Sequence, residues 1–174
     1  METISRPKFD EYDPFYQGYI DRVEDDQVVQ ALRDQIEVFR EVVKHAEEAS
    51  QKDFRYEEGK WSLLELLVHM VDTERVMSFR CFCLARDNNQ VLPNMDQNEY
   101  IKQARCENRS LSSVLTEFES LRKSNIEMIN ALDEEVLENR GIAGGNSISV
   151  RALIYIMIGH LQHHFEIINE RYFK

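Results

Sequence analysis

The 174-residue chain sets 21 Lys and Arg against 32 Asp and Glu, a formal charge of −11 with neutral histidines. With 43% hydrophobic and 30% charged residues it reads as one folded domain, residues 1–174, with a substantial core rather than a disordered chain. Six Gly and three Pro are few for a chain rich in β-turns, so helices are expected to dominate, and the acidic balance speaks against binding nucleic acid or an anionic membrane.

Residues 1–24 hold Phe9, Tyr12, Phe15, Tyr16 and Tyr19, which predict a lead segment packed onto the domain by its aromatics. Asp25 or Asp26 is placed to cap a first helix reaching to about Ser50. Its stripe is Val29, Leu32, Ile36, Phe39, Val43 and Ala46. After a polar stretch ending near Gly59, Ser62 and Glu65 form a capping-box pattern for a second helix to about Arg86. Leu63, Leu66, Leu67, Met70, Met77 and Phe79 are among its apolar residues.

A long connection over 87–109 contains Pro93 and a predicted short helix around Gln97–Ala104. Ser110 opens a third helix with Leu111, Leu115, Phe118, Leu121, Met128, Ile129 and Leu132 on its stripe. Residues 139–149, with Gly144-Gly145, break the pattern and predict a turn. A fourth helix follows Ser149 to about Tyr172, apolar almost all round from Ala152 to Ile158. Four long helices with extended connections predict an all-α, four-helix bundle; a single-chain coiled coil would need shorter, more regular connections.

The chemistry concentrates in histidine. His160 and His164 lie one helical turn apart and differ by only about 40° around the axis, so both can reach one metal ion. They continue the stripe Leu153, Met157, His160, His164, Ile167, where a plain bundle would place aliphatic residues. His163 points about 60° away from His160 on the other side and suits an orienting role. His69 sits in the apolar run Leu-Leu-Val-His-Met of the second helix. Three imidazoles from two inward-facing helices can converge, leaving an open coordination position for water or a thiol. The alternative is a set of hydrogen-bonded core histidines with no metal.

Other residues carry weaker signals. Cys81 and Cys83 point about 200° apart on a helix and cannot clasp one ion, and Cys106 stands alone; three inert thiols suit a reducing cytoplasm. No run approaches the roughly 18 apolar residues of a membrane span, and the N-terminus lacks a signal-peptide core. Glu65 is one turn before His69 and is a candidate base, though capping is its first role. Asp72, Glu74 and Arg75 read as a solvated or salt-bridged face, and His45 as exposed.

Lys60-Trp61-Ser62, Glu65, His69 and Asp72-Thr73-Glu74-Arg75 resemble the second-helix signature of the DinB/YfiT-like superfamily. Leu92-Pro93, Asp96-Gln97, Tyr100 and the terminal Gly159-His160-x-x-His163-His164 are similar to its later pattern. The resemblance implies a four-helix bundle, often a homodimer, with one divalent ion, zinc or nickel, held by His69, His160 and His164. It implies a metal-dependent hydrolase, or an S-transferase using a low-molecular-weight thiol as co-substrate. The leading expectation is a cytoplasmic enzyme that activates such a thiol for transfer to a small electrophile. Hydrolysis by metal hydroxide is the alternative, and a non-catalytic, stress-related metal-binding bundle the second. Glu65, Asp96, Tyr100 and His163 are the candidate orienting groups.

Overall fold

The computed structural model describes residues 3–24 and 26–173. Its helices are α1 (Gln17–Ile20), α2 (Val28–Glu48), α3 (Leu63–Arg86), α4 (Gln97–Gln103), α5 (Leu111–Asn130) and α6 (Val150–Ile167). The four long ones, α2, α3, α5 and α6, form the expected bundle, with α3 packed on α6 and α2 on α5. Short polar caps set where they start. Ser62 Oγ accepts from the Glu65 N–H at 3.2 Å while the Glu65 carboxylate accepts from the Ser62 N–H at 2.7 Å, completing the capping box. Ser110 and Ser149 cap α5 and α6 in the same way, through the N–H groups of Ser113 and Ala152.

Several expectations need correction. The residue before α2 is Gln27, which makes no side-chain cap bond, so Asp26 is not the cap; Asp25 lies outside the described residues. The fourth helix does reach Tyr172 as expected, α-helical to Ile167 and closing in a π turn, Ile168–Tyr172. Phe79 is not core but half exposed. The breaker at 139–149 is a β-hairpin rather than a turn alone. Its strands are Arg140–Ala143 (β2) and Asn146–Ser149 (β3), joined by Gly144 and Gly145 at φ +63° and +84°. Glycine adopts two successive positive φ values without strain, as a two-residue type I′ hairpin turn requires. Val91–Leu92 (β1) adds in parallel to β2, Val91 facing Ile142, and the small sheet pins the 87–109 connection to the end of the bundle.

Two buried polar clusters interrupt the apolar core. In the first, Arg122 of α5 is fully buried and donates to both carboxylate oxygens of Glu74 at 2.6 and 2.5 Å, to the Leu32 carbonyl at 3.1 Å and to Gln35 at 3.0 Å. Asn125 also donates to Glu74, and the Arg122 guanidinium lies over Phe118, itself stacked on Phe39. Glu74 is therefore salt-bridged but not solvated, whereas Arg75 is exposed and pairs with Glu117. In the second cluster, the buried Glu11 carboxylate accepts from Ser149 Oγ at 2.7 Å and from Arg151 at 2.8 Å.

That second cluster ties the lead segment to α6, as does a bond of 2.7 Å from the Tyr155 hydroxyl to the Ile4 carbonyl. The closest approach is at Gly159, where a Cβ would lie 1.9 Å from the Tyr19 carbonyl oxygen. The packing is partly aromatic, as expected, with Tyr12 buried and Tyr16 and Tyr19 half-buried, but Phe9 and Phe15 remain exposed.

Candidate metal centre

His69 enters from α3, two turns inside the capping box, and His160 and His164 from the buried face of α6. Because α3 and α6 pack together, the rings meet between them. His160 Nε2 lies 3.1 Å from His69 Nε2 and 3.1 Å from His164 Nε2, and candidate ligand atoms of all three fall within 4.8 Å of one another. Nitrogens about 2.0–2.1 Å from one ion at angles between square and tetrahedral stand about 2.9–3.4 Å apart, so the spacing fits a shared cation.

Electrostatics favour the same reading. Burial pushes His69 down to about 4 and His164 down to about 3. His160 is held well below the usual imidazole range, by burial first and then by its histidine neighbours. The rings are thus neutral near pH 7, each with one N–H and one lone pair. His164 Nδ1 is buried and lacks a hydrogen-bond partner among the described residues. A proton there is an unsatisfied donor, yet it leaves the Nε2 lone pair aimed at its neighbours. Three lone pairs converging in a dry site repel unless a proton or a cation stands between them. Thr73 Oγ1 lies 3.4 Å from His69 Nδ1, and when it accepts a hydrogen bond from Nδ1–H it leaves Nε2 free.

Aromatic rings wall the centre. The Trp61 ring lies 4.7 Å from that of His69, and the Tyr19 ring 5.4 Å from that of His160 in an edge-to-face contact. Beside His160 opens a cavity of about 460 Å³, lined also by Tyr16, Tyr19, Thr73, Met77 and Arg80. That volume suits a small-molecule ligand.

A family model described as the DinB superfamily matches residues 31–168, more than half of the chain. The chain belongs to the DinB superfamily. Among solved structures, it is similar to YfiT from Bacillus subtilis, described as a probable metal-dependent hydrolase with an unusual four-helix bundle topology. The match has a TM-score of 0.73 over 92% of this chain and 91% of YfiT, at 17% identity, and shows a shared fold. No protein with a curated description matches.

In this DinB-superfamily bundle the three histidines singled out in the sequence are the ones brought together. Of the four orienting candidates, His163 packs against the trio, while Glu65, Asp96 and Tyr100 make no hydrogen bond to it among the described residues. Glu65 is held by the capping box and by Arg55 at 2.6 Å; burial raises its pKa, but those partners outweigh it and the net shift is downward. Asp96 caps α4 through the N–H groups of Asn98 and Glu99, although it also borders the cavity. Tyr100 is exposed and does not line that cavity. His163 packs on His164, with ring centroids 5.0 Å apart, and on Tyr19 at 5.5 Å, beside the trio rather than in it. The cysteines are free, and burial pushes Cys81 up to about 12, an inert thiol.

Sequence reasoning missed Arg80 and did not assign Thr73 or Trp61 a role at the site. The signal for the first two was helical phase: 69, 73, 77 and 80 recur at steps of four, four and three, so they share one face of α3.

Proposed function

We propose that this chain is an enzyme that works with one divalent ion, zinc or nickel, held by His69, His160 and His164, on a small molecule seated in the adjoining cavity. The observation that carries the reading is the convergence of three buried, neutral imidazole nitrogens beside a cavity of substrate size. When bound, the ion supplies a Lewis acid with an open position, which acidifies a water or a thiol placed there.

The chain's own residues do the positioning. Thr73 supports the His69 tautomer that leaves Nε2 unprotonated when its hydroxyl accepts from Nδ1–H, and Trp61 and Tyr19 pack against the flanking imidazoles. Tyr16, Tyr19 and Met77 line the cavity and offer apolar contact to a substrate.

The first reading of the reaction is transfer of a low-molecular-weight thiol to a small electrophile. Glu65 and Asp96 are committed to helix caps, and no carboxylate hydrogen-bonds to the trio among the described residues. A thiol, far more acidic than water, needs no such base once coordinated. Hydrolysis is the second reading, supported by the description attached to YfiT. A non-catalytic bundle is disfavoured by the cavity that reaches His160.

The same reading includes a cytoplasmic setting, supported by three free cysteines, and a homodimer. The exposed apolar pair Val91 and Ile142, with Phe79 and Phe82 on α3, is surface that a second copy would cover. Among the described residues no helix is long and apolar enough to cross a membrane.

The test begins with metal content of untagged wild type and of His69→Ala, His160→Ala and His164→Ala. About one ion per wild-type chain, lost in each variant, is expected; no ion after reconstitution with zinc or nickel would overturn the reading. Product formed only with added thiol then selects transfer, and thiol-independent turnover selects hydrolysis.

A further inference from the structure

Arg80 is 3% exposed, yet its charge has no carboxylate partner among the described residues. One terminal nitrogen donates to the Pro93 carbonyl at 2.7 Å, and the other touches only the Met77 sulfur at 3.8 Å. Its Nε–H is buried with no acceptor among the described residues. Arginine cannot relieve this by losing its proton, so a buried guanidinium in this state calls for an anion.

The position of Arg80 says where that anion would come from. It follows His69 by three helical turns, so it lies within about 20° of the same face of α3. Helical side chains lean toward the N-terminus, which directs the guanidinium back along Met77 toward Thr73. Arg80, Met77, Thr73 and His160 line one cavity. Asp96, also on that wall, is occupied by its N–H partners in α4 and forms no ion pair with Arg80.

We infer that this cavity takes an anionic small molecule and that Arg80 binds its carboxylate or phosphate group while the reacting end lies at His160. Both oxyanions accept two parallel N–H bonds from a guanidinium, a fork that lysine does not offer. The inference rests on the reading of the cavity as the substrate site of the metal centre, and it names the substrate class.

Calorimetric titration of glutarate and of uncharged glutaramide, on metal-free and zinc-loaded protein, tests it, with inorganic phosphate added to the metal-free form. Wild type is expected to prefer an anion to glutaramide; stronger glutarate binding identifies a carboxylate substrate, stronger phosphate binding a phosphorylated one. Arg80→Met should keep the wild-type zinc content and lose at least tenfold in anion affinity. Arg80→Lys should lose at least threefold, which keeps the test decisive if the methionine variant does not fold. Equal anion affinity in wild type and variants, or no preference for either anion over glutaramide in wild type, would overturn the inference. Arg80-dependent binding to metal-free protein would stand even if no metal-dependent turnover were found, so the two readings fail separately.

Discussion

Two arginines lie buried in this bundle under opposite arrangements. Arg122, between α2, α3 and α5, has a carboxylate across its fork and a carbonyl and an amide oxygen on its remaining nitrogen. Arg80, beside the cavity, has one carbonyl, a thioether and an Nε–H with no acceptor among the described residues. The histidine trio resembles Arg80, with three nitrogens facing one another and His164 Nδ1 without a partner among the described residues. A closed polar cluster holds helices in register. An open one, in a native core where buried polar groups are almost always satisfied, marks where something else binds.

The contrast can be broken by experiment. Glu74→Ala strands the Arg122 charge and should cost about 3–5 kcal/mol in urea unfolding; a loss below about 1 kcal/mol would mean that the closed cluster is not a strut. Next comes the metal. Zinc at 100 times its Kd should raise wild-type stability by about 2.7 kcal/mol and leave His160→Ala unchanged.

Acid should act on the metal-free centre. His69 and His164 bind protons less readily folded, at about 4 and about 3, than unfolded near the ordinary 6.5. The unfolded chain therefore takes up more protons below pH 6.5, and stability falls with acidification toward pH 4, by roughly 1.4 kcal/mol per pH unit for each imidazole. A flat unfolding profile between pH 6.5 and 4.5 would contradict the buried, neutral trio. The smallest effect sharpens the comparison most: Arg80→Met removes one bond to an exposed carbonyl and should cost about 1 kcal/mol or less, whereas Arg122→Met leaves Glu74 unpaired.

Helix periodicity was legible because burial on one face writes itself into hydrophobic spacing. The stripe Val29, Leu32, Ile36, Phe39, Val43, Ala46 is buried throughout, and the Ser62–Glu65 box is formed as expected. The histidines stood out because imidazole in a run of aliphatics breaks a pattern. Glu74 and Arg80 did not, since charged residues on a helix look alike whether they face water, a partner 48 residues away or a cavity. The hairpin at 140–149 was hidden for a different reason: its strands are four residues each, too short for alternation to register beside Gly144-Gly145. Phe79 misled because an apolar residue on a mostly buried helix is not thereby on its buried face.

The close fit of Tyr19 against Gly159 bears on how the protein is made. The residues in contact are separated by 140 positions, as are Glu11 and Arg151, while Ile4 and Tyr155 are 151 apart. During synthesis the lead segment emerges before α6 and cannot make these contacts until α6 leaves the ribosome. Two of the three imidazoles arrive with that same helix. A chain in which α6 is not yet made, or from which it has been clipped, keeps Trp61 beside His69 but lacks the seat of Tyr19 and two of the three ligands, so the centre is assembled only once α6 is in place.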